Sequence, residues 1–385
     1  MPGRPEHLLI AGVSTRALAA SAARAGHRVT AVDAFGDIDL RAIAEVLAPG
    51  IRPGRFSPRE AAESARTVPA SLVAYTANFE NYPDAVATLA TGRRLLGNSP
   101  AALRRVRNPI TLMRALRVGG FAVPETRASP PHAGLRGRRW LIKPRRSGGG
   151  HGTTAWRPGA RVPRGWYLQE RIPGPAGSIV FLADGRRAVP LGLSRQLVGN
   201  PAFGAHGFRY CGSLLGTIHR PVFEREEHLL DAARALTAAV TEEFGLIGLN
   251  GIDFIARNGM PYPIEVNPRW SASMELVERA TGHSLFELHR AACVGLLPAE
   301  ESVPGPVTGK AIVFAQREVT VGEGLRWTAG GDLADVPHPG ERIRRGHPIC
   351  TVFATGTDAR SCTERLRLRA DRVYRTVEAR ARGAA

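Results

Sequence analysis

The chain has 385 residues, and its 52 Lys and Arg residues against 34 Asp and Glu give a formal net charge of +18. This length is ample for two to four structural units, and a positive excess favours nucleic acid or membrane surfaces as partners. The arginines are scattered, only 6% of the residues are aromatic and no nucleic-acid-binding motif occurs, so we expect neither partner.

The first hundred residues have the pattern of an α/β unit. Residues 7–12 and 28–33 predict apolar strands, and residues 15–26 between them predict a helix capped by Ser14. Gly12 at the strand end and an acidic residue after the second strand are typical of half of a dinucleotide-binding fold. The turn Gly-Val-Ser-Thr-Arg-Ala lacks the GxGxxG fingerprint, so we do not expect NAD to bind.

A short apolar strand at residues 140–144 leads a lysine, Lys143, into the glycine-rich stretch 145–153. An ammonium group beside glycines suits phosphate binding, because glycine lets backbone N–H groups approach an anion. The stretch is not a Walker A motif, since the lysine precedes the glycines. Lys143 and Lys310 are the two lysines of a chain that otherwise uses arginine, which favours a need for an ammonium group here. The alternative is a surface loop without a ligand.

The segments that follow alternate between strand and helix patterns. Residues 167–174 are apolar and then polar, which predicts a strand, and Asp184-Gly185 predicts a turn between two strands. Residues 224–244 have apolar side chains at helical spacing and predict a helix that packs on the core.

Residues 251–275 predict a β-hairpin with an Asn258-Gly259 turn, followed by a helix that begins at Ser271. On the second strand, Glu265 and Asn267 are two residues apart and therefore share a face.

Asp253 joins that face only if the loop between the strands has an odd number of residues, so we predict a loop of three or five. Two carboxylates and an amide oxygen would then converge, and such hard donors suit Mg²⁺ on nucleotide phosphates. The alternative is the solvated face of an ordinary hairpin.

The pattern changes after residue 300. Residues 298–306 predict a linker, residues 309–315 a strand, and residues 334–353 short strands separated by proline and glycine turns. A terminal helix is predicted for residues 358–379. No Met-Lys-Met biotinylation signal occurs, so we interpret this region as structural.

Cysteine spacing and targeting signals exclude further site types. The cysteines at positions 211, 293, 350 and 362 have no CxxC or paired spacing, so we expect neither a zinc site nor a disulfide framework. No signal peptide or long apolar run is apparent, which predicts a cytoplasmic protein.

Asp253 followed by Glu265-Val-Asn267-Pro-Arg269 resembles the metal-binding end of the ATP-grasp superfamily. The resemblance implies that Asp253, Glu265 and Asn267 hold Mg²⁺ (or Mn²⁺) on the phosphates of ATP. It also implies that Arg269 lies near the transferred phosphoryl group and acts in catalysis.

The upstream segments occur in the order that this family uses. Lys143 is similar to the family's catalytic and phosphate-binding lysine, and residues 167–174 resemble its hinge strand, which binds adenine. The ATP contacts that the resemblance implies are Lys143, Ser147, Gly148, Gly149, Gly150, Gln169, Glu170 and Ile172.

The chain departs from the family at an earlier lysine that contacts the α-phosphate. The equivalent stretch is Val106-Arg107-Asn108-Pro109, where Asn108 is expected to cap a helix with Pro109 at its first position. Arg107 and Arg114 are the two candidates for the missing charge.

The resemblance implies a mixed α/β and α+β architecture, the ATP-grasp fold. We expect a Rossmann-like pre-ATP-grasp domain at 1–105, the ATP-grasp domain at 106–300 and a small β-rich C-terminal domain at 305–385. The ATP-grasp domain would divide into a lid subdomain at 106–174 and a metal-binding subdomain at 175–300.

The N-terminal domain of such ligases helps to form the acceptor-substrate pocket, which makes Ser14, Thr15 and Asn78 candidate substrate contacts. The alternative for these residues is a tight turn with a helix cap.

The reaction that the resemblance implies is amide formation. A carboxylate and MgATP would give an acyl phosphate and ADP, and an amine would then attack. The layout resembles predicted carboligases related to biotin carboxylase and the tyramine–glutamate ligases of methanofuran synthesis, which implies glutamate or another amino acid joined to an amine in one-carbon cofactor synthesis. The alternatives are an amino-acid or peptide ligase of another pathway, or a catalytically silent ATP-binding regulator. A homodimer is also possible.

Overall fold

The computed structural model describes residues 5–47, 56–131, 137–217, 219–301, 303–322 and 331–378. The N-terminal unit contains the strands β1 (His7–Gly12), β2 (Arg28–Asp33), β3 (Glu45–Leu47), β4 (Leu72–Tyr75) and β5 (Arg94–Leu95). They pair in parallel in the order β3-β2-β1-β4-β5. β1 and β2 are buried at almost every position, as expected for a parallel sheet with helices on its faces.

Three of the helices of this part of the chain begin at residues whose side chains cap them, Ser57, Ser99 and Asn108. The helices are α1 (Arg16–Arg24), α2 (Ile38–Arg41), α3 (Pro58–Ser64), α4 (Pro83–Ala90), α5 (Pro100–Val106) and α6 (Pro109–Val118), with a 3₁₀ turn at Phe79–Asn81. Asn108 caps α6 as predicted, because its side chain accepts hydrogen bonds from the backbone N–H groups of Ile110 and Thr111. The cap of α1 was predicted wrongly: Thr15, not Ser14, precedes its first turn.

A small antiparallel sheet follows, and it holds Lys143. Its strands are β6 (Thr126–Arg127), β7 (Trp140–Pro144), β8 (Thr154–Ala155) and β9 (Trp166–Glu170), and they pair in the order β6-β9-β7-β8. Lys143 on β7 lies opposite Tyr167 on β9, so the lysine and the predicted hinge strand are adjacent.

The largest sheet extends through the rest of the chain. Its strands are β10 (Ala176–Asp184), β11 (Ala188–Val198), β12 (Tyr210–Leu215), β13 (Ile247–Arg257), β14 (Met260–Asn267), β15 (Val307–Phe314), β17 (Leu333–Ala334) and β19 (Pro348–Gly356). Two short strands, β16 (Val319–Thr320) and β18 (Arg342–Ile343), pair with each other outside this sheet. The order is β14-β13-β10-β11-β12-β15-β19-β17. Three strands from beyond residue 305 therefore extend this sheet: β15 pairs with β12, β19 with β15 and β17 with β19, whereas β16 and β18 form a separate pair.

Helices cover this sheet. They are α7 (Glu226–Phe244), α8 (Met274–Thr281), α9 (Leu285–Ala292) and α10 (Ala359–Glu378), with a further 3₁₀ turn at Pro201–Phe203. The helix predicted to begin at Ser271 begins instead at Met274. No helix in the described part of the chain is long and apolar enough to cross a membrane.

The predicted odd-length loop in the hairpin is wrong, although the side-chain arrangement that it was meant to explain is present. Arg257 pairs with Met260, so the loop consists of Asn258 and Gly259 alone. A β-bulge then inserts one extra residue, Ile264, so that Asp253 lies opposite Glu265 rather than opposite Ile264. A bulge changes the alternation of side chains by one residue, as an odd loop would have done.

A buried ion network ties the three parts of the chain together. Arg16 of α1 bonds both carboxylate oxygens of Glu275 on α8 and lies 2.9 Å from Asp335. The Nζ atom of Lys310 on β15 lies 2.7 Å from the Oε2 atom of Glu275. Burial alone would raise the pKa of Glu275, but Arg16 and Lys310 outweigh it and hold that pKa below its ordinary value. Glu275 is therefore an anion on which two buried cations depend.

We expect Glu275→Ala to lower the free energy of unfolding by about 3–5 kcal/mol, because Arg16 and Lys310 would remain buried without their shared partner. Urea denaturation measures this. Glu364→Ala is the matched control, since it removes a carboxylate from an exposed i,i+4 pair with Arg360 and should cost less than about 1 kcal/mol. Equal losses in the two variants would contradict a structural role for the network.

Candidate functional site

A cavity of about 1000 Å³ lies where the N-terminal unit, the small sheet and the large sheet meet. Of the described side chains that line it, nine are cationic and four are acidic: Arg16, Arg107, Arg139, Lys143, Arg145, Arg171, Arg195, Arg269 and Lys310 against Glu170, Asp253, Glu265 and Asp335. Both lysines of the chain are among them. The balance of charge favours anionic ligands.

The bulged hairpin places two carboxylates side by side in this cavity. Asp253 accepts hydrogen bonds from Gln196 on β11 and from the amide of Asn267, each at 2.9 Å. Burial, followed by the negative charge of Glu265, raises the pKa of Asp253 from 3.8 to about 6. Two crowded, desolvated carboxylates are stabilised by a cation placed between them.

The donor set fits a divalent cation that takes its remaining oxygens from a nucleotide. The described residues contain no group of three or more His, Cys, Asp or Glu side chains that could hold a metal ion. The site instead offers two carboxylates and the amide of Asn267, and Mg²⁺ commonly uses one or two carboxylates together with substrate phosphates.

Cations surround Glu265. Arg107 donates a hydrogen bond of 2.5 Å to its Oε1 atom. Burial alone would raise the pKa of Glu265, but Arg107 and then Lys143 outweigh it, so the pKa is lowered and the carboxylate stays charged. Of the two candidates for the missing early lysine, Arg107 lines the cavity and Arg114 is not among the lining residues.

Lys143 is held by the neighbouring strand. Its Nζ atom donates to Gln169 Oε1 at 2.9 Å, and Gln169 donates in turn to the carbonyl of Ile264, the bulge residue, at 3.3 Å. Burial lowers the pKa of Lys143, while Glu265 and Asp253 oppose that shift. Lys143, the hinge strand and the hairpin are therefore connected by hydrogen bonds.

Arg269 bridges the hairpin and the N-terminal unit. Its guanidinium lies 2.8 Å from the carboxylate of Glu80, which is 1% exposed, and donates to Asn267 Oδ1 at 3.2 Å. The arginine predicted to stabilise charge is thus fixed beside a predicted metal ligand.

Residues 106–273 match the model of the ATP-grasp domain family. This segment, which is under half of the chain, is an ATP-grasp domain. An uncharacterized protein of Methanocaldococcus jannaschii is 30% identical over 115 residues, which are 30% of this chain and 28% of that protein. The formate-dependent phosphoribosylglycinamide formyltransferase of Thioalkalivibrio sulfidiphilus is 35% identical over 156 residues, 38% of this chain and 37% of the relative. The chain therefore spans well under half the length of these relatives.

Solved structures confirm the ATP-grasp fold that the sequence predicted. The biotin carboxylase domain of the 2-oxoglutarate carboxylase of Hydrogenobacter thermophilus, a dimer in complex with MgADP, ADP and bicarbonate, has a TM-score of 0.73 at 13% identity, covering 94% of this chain and 88% of that one. The pyruvate carboxylase of Rhizobium etli gives a TM-score of 0.75 at 16% identity, covering 94% of this chain and 37% of that one.

The glycine loop of this ATP-grasp domain is packed against the turn that precedes β12. The carbonyl of Gly149 accepts a hydrogen bond of 3.0 Å from the backbone N–H of Tyr210. Gly150 has φ +77°, and a Cβ atom there would lie 1.8 Å from the carbonyl oxygen of Phe208. Only glycine permits this close approach.

The predicted adenine contacts, Glu170 and Ile172, also line the cavity. Glu170 lines the cavity, but its carboxylate is bonded to Arg138 at 2.5 Å and to the backbone N–H of Glu125 at 3.1 Å. Ile172 is buried and also lines the cavity. Adenine recognition by either residue stays a prediction.

The candidate substrate contacts separate into two groups. Ser14 lines the cavity, whereas Thr15 is fully buried and donates its hydroxyl to Asp33 at 2.8 Å. Asn78 is not among the lining residues, where Thr76 and Ala77 take its place. Thr15 precedes the first turn of α1 without a side-chain cap bond, and substrate contact by Ser14, Thr15 or Asn78 stays a prediction.

A row of polar side chains that sequence reasoning missed crosses the large sheet from the predicted metal site. Neighbouring strands place Glu265 opposite Asp253, Asp253 opposite Ser178, Ser178 opposite Ser194, Gln196 opposite Ser213 and Ser213 opposite Lys310. The one sequence signal for its far end was that Lys310 is the second of only two lysines. The row joins the hairpin to the ion network on one floor of the cavity.

The pKa of Asp253 predicts a pH-dependent effect of Asp253→Asn. The folded state retains this proton up to about pH 6 and the unfolded state only to about pH 3.8, so ionisation destabilises the wild type as pH rises. The stability of the variant relative to wild type should rise by about 2 kcal/mol between pH 4 and pH 7. Urea denaturation in EDTA at several pH values measures it, and a pH-independent difference would refute it.

Gly150→Ala should prevent the glycine loop from packing on Phe208. A left-handed alanine costs about 1–2 kcal/mol, so we expect nucleotide affinity to fall roughly tenfold or more, measured by calorimetry with ADP. Gly148→Ala should cost less, since nothing lies within 4 Å of a Cβ atom there. The same loss at both positions would argue against the Phe208 contact.

Proposed function

We propose that this protein is an ATP-dependent ligase that activates a carboxylate as an acyl phosphate and joins it to an amine, with release of ADP. The observation that carries the proposal is the pair Asp253 and Glu265, which lie opposite each other in a cationic cavity beside Lys143 and the glycine loop. The ATP-grasp match over residues 106–273 supports it.

Asp253, Glu265 and Asn267 would hold Mg²⁺ or Mn²⁺, which neutralises phosphate charge when bound. Lys143 and Arg269 would bind the transferred phosphoryl group and stabilise the charge that develops on it. The glycine loop would exclude water, because an acyl phosphate that meets water is hydrolysed before the amine attacks.

We propose further that the carboxylate is glutamate or another amino acid and that the product serves cofactor synthesis, of methanofuran or another one-carbon carrier. The excess of cations in the cavity lining supports a substrate that is itself anionic, in addition to ATP. A cytoplasmic homodimer is part of the same proposal, and sedimentation would test the dimer.

The test is ADP release from MgATP across a pool of amino acids and amines. A signal that requires both a carboxylate and an amine supports the ligase. Tight ATP binding without substrate-dependent turnover supports the catalytically silent regulator instead.

Glu265→Ala should reduce substrate-dependent ADP release by about 100-fold or more, because loss of a cation ligand removes several kcal/mol of charge stabilisation. Coupled-enzyme detection of ADP measures the rate. Glu364→Ala, on the exposed face of α10, is the control and should turn over normally. Undiminished turnover in Glu265→Ala would overturn the assignment of the metal site.

A further inference from the structure

Arg107 uses every N–H group of its guanidinium within the protein. Nε and Nη2 donate to Asn81 Oδ1 at 3.1 and 2.9 Å. Nη1 donates to Glu265 Oε1 at 2.5 Å and to the carbonyl of Val266 at 2.8 Å. Nη2 also donates to the carbonyl of Ser147 at 3.4 Å. A guanidinium has five N–H donors, and all five have acceptors here.

These acceptors belong to three separate segments. Asn81 ends the 3₁₀ turn Phe79–Asn81 of the N-terminal unit, and Glu265 lies on β14 of the hairpin. Ser147 belongs to the glycine loop, residues 145–153. A lysine has three donors and no planar fork, so it could not make the same five bonds. Arginine at this position therefore ties the three segments together more completely than a lysine would.

The same short turn holds the second arginine of the site. Glu80, next to Asn81, pairs with Arg269 at 2.8 Å, and Arg269 donates to Asn267. Two adjacent residues of the N-terminal unit thus support the two arginines that contact Glu265 and Asn267. Glu80 and Asn81 are both buried, at 1% and 6% exposure, so this support is not a surface contact.

We propose that Arg107 is a positioning residue for the metal site, held by Asn81. Arg107 fixes Glu265 through Oε1; among the described residues no hydrogen bond reaches Oε2, which is left for the cation. The bond to Ser147 joins the glycine loop to the same unit. This inference rests on the proposed function, because it concerns how the metal and the nucleotide are bound.

The test measures Mn²⁺ binding to the ADP complex by electron paramagnetic resonance, with ADP affinity in EDTA measured separately by calorimetry. Asn81→Leu removes the acceptor that holds Arg107 without touching metal or nucleotide, and Mn²⁺ affinity should fall about tenfold, as for loss of a residue that orients a ligand. ADP affinity in EDTA should stay close to wild type. Asn81→Asp keeps an oxygen acceptor and should restore Mn²⁺ affinity.

Arg107→Lys distinguishes geometry from charge. The variant carries the family's lysine and keeps the positive charge. If Arg107 only contacts a phosphate of the nucleotide, ADP affinity in EDTA should be unchanged or higher and Mn²⁺ affinity should stay normal. Positioning predicts a loss of Mn²⁺ affinity like that of Asn81→Leu, with no further loss in the double variant. Wild-type Mn²⁺ affinity in both Asn81→Leu and Arg107→Lys would overturn this inference and leave the proposed function standing. Failure of the wild-type protein to bind Mn²⁺ and ADP would overturn the proposed function with it.

Discussion

The site depends on two half-buried carboxylates that lie side by side in a cationic cavity. Asp253 and Glu265 face each other across the hairpin, and burial with mutual repulsion raises the pKa of Asp253. Such a pair costs stability unless cations offset it. Much of the surrounding structure supplies those cations, first as arginine and lysine side chains and, in the proposed reaction, as a bound metal ion.

Two of the protein's own cations are held in turn by the N-terminal unit. Arg107 is bonded to Asn81 and Arg269 is paired with Glu80, so the α/β unit does more than close one side of the cavity. A charge in a buried site contributes only if its position is fixed, because a mobile cation would find other anions or water. An arginine at position 107 meets this need, because its guanidinium makes several bonds at once.

The large sheet connects the metal site with the far end of the cavity. The residues beyond 305 extend the central sheet through β15 and place Lys310 on the same polar row as Asp253. The network around Glu275 then links this end to Arg16 of the N-terminal unit. The three parts of the chain meet at this end of the cavity.

The sequence by itself determined the order of the elements, the hairpin with its polar face, the lysine before the glycine loop and the cap of α6, because local spacing and backbone preferences encode these features. Only the tertiary structure decided which residues meet. Asn258-Gly259 does form the two-residue turn that this pair favours, but the bulge at Ile264 that aligns Asp253 with Glu265 was not predicted. Pro263 beside it is compatible with a bulge, since proline in a strand is confined to edges and bulges, but it does not fix which residue is left unpaired. The Asn81–Arg107–Glu265 contact joins residues up to 184 positions apart (265 − 81), and such partners are chosen by packing of whole units, which no periodicity in the chain reports.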